Sequence, residues 1–403
     1  MTAILFLTES FHPVLGGGEI HIRMLAGTLA QMGMRATVVT RAIDPTWPKD
    51  EELDGIHVVR VGPTGVGRGG KYRMVPAALA AVRRLRTRFD VLVVRGTRVL
   101  GLPGVSIAQS LGRPVVLQPE INGELSGEAY TWGKRWGSVR RGFVHGATAL
   151  RNRWMKTADA FVAMSRAIEG EMTAAGVAAD RVHLIPHGVD LARFRPAAAE
   201  ERAALRTRLG LPAHAAVFTY TGRLLRGKGL ELLLETFLTR RRPSTVLMLV
   251  GSGAGQTLSI EDELRRRATE AGAGDRVVFT GRVDNVHDYL RASDAFVFPS
   301  MFEALGISLV EAAACGLPCV ASRTGGIVDV VEHERTGLLH EPGDGPGLAA
   351  GIERLLADGA FAAALGRAAR EKAEREFDVR VSVERYRALF DGLAARGAAR
   401  GSA

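Results

Sequence analysis

The stretch AFVFPSMFEALGISLVEAAACGLPCVAS, Ala295 to Ser322, sets the reading of the whole chain. Its first run, AFVFPS, is apolar and aromatic, and Pro299 closes it, as expected of a buried strand. A helical pattern begins near Gly306 and runs through ISLVEAAACG, and PCVAS is a second short apolar run. Strand, helix and strand in succession predict two parallel strands covered by a helix. Glu303 and Glu311 lie eight residues apart, with Gly306 between them. The free N–H groups of Gly306, Ile307 and Ser308 at the start of such a helix favour an anion. Carboxylates cannot bind phosphate, but they accept well from sugar hydroxyls. One carboxylate per sugar with a diphosphate between them is a coherent site for a nucleotide-sugar. The plainer alternative is a capping acid at Glu303 and a surface acid at Glu311.

The same grammar extends in both directions. Strands are predicted at AILFLT, RATVVT, VLVVRG, RPVVLQ, AFVAMS and VHLIPH in the first half, and at VFTYTG, TVLMLVG and RVVFTG before the opening stretch. Helical patterns fill most gaps. TVLMLV is apolar throughout, as when both faces of a parallel sheet are covered. The expected fold class is α/β, with two doubly wound parallel-sheet domains. A polar, proline-bearing stretch at 186–201 marks the boundary. The expected parts are residues 1–190, residues 191–375, and a C-terminal helix over 376–403 that packs back on the first domain and frays at its end. Ligands of such sheets bind beyond the carboxyl ends of the strands, so a cleft between two facing domains is the expected site.

The chain has 403 residues, 46% apolar and 24% charged, enough for two domain cores. The formal charge of +10 is uneven: residues 1–190 carry 24 Lys and Arg against 16 Asp and Glu. Cys315 and Cys319 are the only cysteines; they are too few for a zinc set and read as small buried residues. No D-x-D follows a predicted strand, and no metal site is expected. The opening residues MTAILFLTES enter a strand with no basic region or cleavage site, and no run reaches membrane-spanning length. A cytoplasmic protein is expected.

Two further motifs stand at strand-to-helix turns. LGGGEIH, Leu15 to His21, follows the first strand. Its glycines permit close backbone approach to a ligand, but it is neither a dinucleotide fingerprint nor a P-loop. TGRLLRGKGLELLLETF, Thr221 to Phe237, gathers Arg223, Arg226 and Lys228 with no acid among them. Arginine forks and a lysine point charge together suit a diphosphate.

These motifs, in this order, resemble the family-4 retaining glycosyltransferases, which have the GT-B fold of two Rossmann-like domains facing across a cleft. The likeness covers nearly the whole chain. It includes GGGE, IPHGVD at the hinge, GRLLRGKG, VGSG at 250–253, FTGRV at 279–283, residues 299–322, TGGIVDVV and TGLLHEPGD. The Glu303 and Glu311 pair in that setting is its specific element.

The resemblance implies that Arg223 and Lys228 hold the donor diphosphate and neutralise its leaving charge. It implies that Glu303 contacts donor-sugar hydroxyls, and that Gly222, Gly306, Ile307 and Ser308 line the donor site. Glu311 would bind the ribose hydroxyls, Val283 would meet the base through its backbone, and Gly17 would approach the phosphates from the first domain. Glu19 would lie toward the acceptor. The substrate would be a UDP- or GDP-linked sugar, with no cofactor. Two departures stand out. Glu120 occupies the place after VVLQPE's strand where many members carry histidine, which alters the acceptor side or the donor-sugar contacts. His187 replaces the usual hinge asparagine and reads as structural, as do His145 and His183.

Residues 129–157 hold seven Lys and Arg, no acid and three of the four tryptophans. Trp132, Lys134, Arg135, Trp136, Arg140 and Arg141 are the composition of a contact with an anionic membrane surface. RRLRTRF at 83–89 adds to that charge. The alternative is a solvated helix with its tryptophans inward. No nucleic-acid reader accompanies the charge. A membrane-surface domain suits a glycan or lipid-linked acceptor in envelope polysaccharide assembly, with the protein peripheral on the inner face of the cell membrane. The rival functions are a nucleotide-sugar epimerase or hydrolase of the same fold, and a non-catalytic membrane-associated partner of a transferase. A dinucleotide oxidoreductase lacks its fingerprint here.

Overall fold

The computed structural model describes residues 1–14, 16–65, 69–128, 138–240, 244–256, 258–401, with residues 139–141, 400 and 401 described by backbone alone. The chain forms two compact units: Met1–His187 together with Arg380–Ala403, and Gly188–Val379.

The first unit holds eight strands: β1 Ala3–Leu7, β2 Arg35–Arg41, β3 Asp50–Leu53, β4 Ile56–Val61, β5 Val91–Arg95, β6 Val115–Gln118, β7 Ala160–Ala163 and β8 Val182–Leu184. Their order in the sheet is β3-β4-β2-β1-β5-β6-β7-β8. All neighbours run parallel except β3 against β4. The six strands expected in this half are present; β3 and β4 are additional. Strand β3 reads DEEL and alternates between exposed and half-buried. It is a short, acidic edge, the kind of strand that resists unwanted pairing and carries no apolar signature.

The second unit holds β9 Ala216–Thr221, β10 Thr245–Val250, β11 Val277–Gly281, β12 Ala295–Phe298, β13 Cys319–Ser322 and β14 Leu338–His340. Their order is β11-β10-β9-β12-β13-β14, and every pairing is parallel. Every residue of β10 is buried, which accounts for its unbroken apolar run. The opening stretch is strand β12, helix Ile307–Ala314 and strand β13. Only β14, three residues long, went unsignalled, since so short a strand has no periodicity to show.

Cys315 and Cys319 are buried free thiols, and burial pushes both up to about 12, as inert packing residues. Helix Val379–Gly401 sets Tyr386, Phe390 and Leu393 in the first unit's core. Gln118 Nε2 donates to Tyr386 Oη at 2.9 Å, and Ser382 Oγ donates to the Pro186 carbonyl at 2.6 Å.

Each sheet reverses its direction of winding once. In the second unit the reversal lies between β9 and β12, and in the first between β1 and β5. At such a reversal the loops leaving neighbouring strands run to opposite faces, and ligands of these sheets commonly bind beyond the strands' carboxyl ends there.

Candidate active site

In the second unit the turn after β9 carries Arg223 and Lys228, and the turn after β12 carries Glu303. Sheet order makes these two turns neighbours, although their charges are 75 residues apart in sequence. The turns are bonded together: the Met301 N–H donates to the Gly227 carbonyl at 3.0 Å. At Gly229, φ is +69°, and an added Cβ would stand 1.9 Å from the Pro299 carbonyl oxygen. Only glycine fits there, so the final residue of the RGKG turn locks that turn against the end of β12.

Lys228 Nζ donates to Glu303 Oε2 at 2.6 Å, and both side chains are about one-fifth exposed. Arg223, five residues before Lys228 on the same turn, is exposed, and its Nη1 donates to Gln256 Oε1 at 3.4 Å. Buried Tyr220 donates its hydroxyl to the Arg223 carbonyl at 3.2 Å and so holds the turn. Gly222 joins β9 to this turn, and its N–H donates to the Val250 carbonyl at 2.9 Å.

Gly306 caps helix Ile307–Ala314 with φ 88° and ψ 66°, so the helix proper starts one residue beyond it. The N–H groups of Ile307 and Ser308 belong to its first turn and have no carbonyl one turn back. The next turn, at Gly326, donates its N–H to the Glu303 carbonyl at 3.1 Å. Glu311 lies farther along the helix and is half-buried. Burial pushes its carboxyl up to about 7, against the pull of Arg193. Val283 follows edge strand β11, and its side chain packs on the cluster of Val217, Val246 and Met248. The VGSG turn is held by Glu261, which accepts from Ser252 Oγ at 2.6 Å and from the Gly253 N–H at 2.9 Å.

In the first unit, Gly17 is the exposed first residue of helix Gly17–Gln31, and Glu19 sits in its first turn. Glu19 Oε1 accepts from Ser10 Oγ at 2.5 Å. Glu120 follows β6, and Arg95, fully buried at the end of β5, stands 3.6 Å from it. Arg95 Nη1 also donates to the Gly18 carbonyl at 2.5 Å, which ties the glycine loop to the sheet. Burial raises the Glu120 carboxyl; Arg95 opposes this, and Glu124 and Glu19 add to it. The Glu120 side chain is 39% exposed, which moderates the shift. Glu9 is raised likewise, chiefly by burial, with Lys71, Arg98 and Arg41 opposing. Glu124 accepts from the Thr97 N–H at 2.7 Å and the Glu120 N–H at 3.0 Å, fixing the loop after β6.

The sequence reading missed Arg95, Glu124 and Glu9. Arg95 left one signal, a single cation ending a strand of otherwise apolar residues. His187 is buried and stacks on His21 with ring centroids 3.6 Å apart, and burial pushes both well below the usual histidine range. The expected contact residues Trp132, Lys134, Arg135 and Trp136 lie outside the described residues, and Arg140 and Arg141 are placed only as backbone of helix Ser138–Met155.

A doubly wound unit with a cationic turn after its first strand, and a carboxylate-flanked helix start across the switch point, offers charges suited to a phosphorylated sugar ligand. Residues 201–372 match the family Glycosyl transferases group 1, and residues 15–193 match Glycosyltransferase Family 4. A D-inositol 3-phosphate glycosyltransferase of Catenulispora acidiphila is 31% identical over 87% of this chain and 84% of its own. One from Pseudarthrobacter chlorophenolicus is 29% identical over 93% and 91%. A sucrose-phosphate synthase from Thermosynechococcus elongatus superposes with a TM-score of 0.83 at 27% identity, covering 98% of this chain and all of that one. Anabaena HepE, in complex with UDP and glucose, superposes at 0.76 with 25% identity, covering 96% and 99%. The chain belongs to the family-4, group 1 glycosyltransferases and has the GT-B fold.

Proposed function

We propose that this glycosyltransferase moves a hexose from a UDP- or GDP-linked sugar to an acceptor hydroxyl and retains the anomeric configuration. The single observation that carries the reading is the Lys228–Glu303 pair at the switch point, beside Arg223 and the start of helix Ile307–Ala314. In this reading the bond from the anomeric carbon to the donor phosphate oxygen breaks, and a bond to the acceptor oxygen forms. The acceptor proton passes to the departing phosphate oxygen on the same face. Arg223 and Lys228 stabilise the charge that grows on the diphosphate, while Glu303 fixes the sugar hydroxyls. Ile307 and Ser308 donate from the helix start, and Glu311 accepts from the ribose. Gly222 and Gly306 give the phosphates room, Val283 meets the base, and Gly17 is assigned to the phosphates. With two cations on the leaving group the reaction needs no metal and no cofactor.

Glu19 and Glu120 are assigned to the acceptor side. One acceptor reading is a glycan or lipid-linked saccharide of the envelope, used at the inner face of the membrane. A second is a small phosphorylated polyol. It is favoured by the names of the inositol phosphate relatives and by Lys71, Arg98 and Arg41 around Glu9.

Nucleotide release tests the proposal. The purified protein is given UDP- and GDP-sugars with lipid extract, with inositol phosphate, or with neither, and with and without EDTA. Release that needs one donor and one acceptor, survives EDTA and vanishes in Lys228→Ala supports the reading. Turnover without acceptor points instead to an epimerase or hydrolase. Absence of any nucleotide-sugar binding leaves the non-catalytic partner.

A further inference from the structure

Helix Ser138–Met155 of the first unit presents its apolar residues outward. Phe143 is 76% exposed, Leu150 73% and Trp154 50%. At about 100° per residue, Phe143, Ala147, Leu150 and Trp154 fall within roughly 60° of one another, a single stripe along the helix. The side that packs on the unit is partly polar. Thr148 and Asn152 are buried there with Met155. Asn152 Nδ2 donates to the Leu125 carbonyl at 2.7 Å, and Arg151 Nη2 donates to the Glu124 carbonyl at 2.5 Å. Ordinary amphipathic packing would bury the stripe and expose the amides and cations. Here hydrogen bonds and Met155 seat the helix, and Phe143, Leu150 and Trp154 are left to water.

Charge identifies what covers them. No acid occurs between Glu128 and Asp159, while seven Lys and Arg do. Exposed Arg153 lies on the same helix, and Arg140 and Arg141 belong to its first turns. A second copy of this chain would bring the same cations against themselves. An anionic bilayer accepts both parts, with the stripe entering the headgroup–acyl boundary and the cations staying at lipid phosphates. We infer that helix Ser138–Met155 is a membrane-docking element that inserts Phe143, Leu150 and Trp154 into an anionic lipid surface. This adds to the transfer reaction and does not depend on it.

The test is co-sedimentation of the full chain with phosphatidylglycerol–phosphatidylcholine vesicles and with pure phosphatidylcholine vesicles. A variant carrying Phe143→Ser, Leu150→Ser and Trp154→Ser is run beside the wild type. All three side chains are exposed, so the variant is expected to fold, and circular dichroism checks that it does. Support is binding to the anionic vesicles that weakens with salt and falls at least about tenfold in the variant. Wild-type protein that stays in the supernatant, or a variant that binds equally well, overturns the inference. So does a wild-type dimer, seen by light scattering, that the variant converts to monomer, because the stripe then belongs to a second copy. Calorimetric UDP binding by the same samples reports separately on the transferase reading.

Discussion

Glu311→Gln isolates one ionisation in the second unit. The free carboxyl titrates near 4.5 and the folded one near 7, because burial disfavours its charged form. At pH 8 the folded protein must hold this buried charge, and at pH 5 it need not. The gap between the two values corresponds to about 3 kcal/mol of lost stability at high pH. The sign follows from proton counts. Between pH 4.5 and 7 the folded state binds more protons than the unfolded one, so stability falls as pH rises through that window. Glutamine carries no charge at any pH. The stability of the variant relative to wild type should therefore grow by up to about 3 kcal/mol from pH 5 to pH 8. Denaturant titrations of both proteins across that range measure it. A difference that stays flat refutes the desolvation argument. The ribose assignment has its own reading in the same pair of proteins. Hydroxyls donating to Glu311 would favour its ionised form, so UDP binding at pH 7 should release about half a proton. Calorimetry in buffers of different ionisation enthalpy counts it, and the variant should release about half a proton less, because any proton lost by the UDP phosphate is common to both. Equal release by both proteins would place the ribose elsewhere.

Lys228→Ala removes the cation that Glu303 holds, and kcat/KM should fall by about 10²–10³. Steady-state nucleotide release reads this, and a loss below about threefold would contradict a role on the leaving group. Gly229→Ala forces a methyl onto the Pro299 carbonyl at φ +69° and should cost at least about 2 kcal/mol in the second unit, read as a lower denaturation midpoint. His187→Asn concerns the first unit. Folded His21 and His187 stay neutral below pH 6.5 while the unfolded chain takes up protons, so stability falls as pH drops below that value. Removing one of the pair should flatten this acid limb by up to about 1.4 kcal/mol per pH unit. Melting curves between pH 7 and 5 show whether it does.

What was legible in the sequence, and what was not, follows from the range of each interaction. Strands such as β10 and β12 were legible because a parallel sheet covers both faces and demands unbroken apolar runs. Strand β3 was not, because an exposed edge is built from the charges that mark loops. Arg223, Lys228 and Glu303 could be singled out as charges at strand ends, but nothing local says that Lys228 meets Glu303. That pairing comes from sheet order, which seats β9 beside β12. Arg95 and Glu120 meet in the same way across β5 and β6. The Lys228–Glu303 bond also bears on how the proposed donor site works. In the structure the two charges neutralise each other at 2.6 Å. Under the proposed function, an arriving diphosphate would draw Lys228 toward the leaving group and free Glu303 to accept from sugar hydroxyls. Donor binding should then depend on both residues together, and the double variant should lose little more donor affinity than either single one. Fully additive losses would mean that the two side chains act on the donor separately.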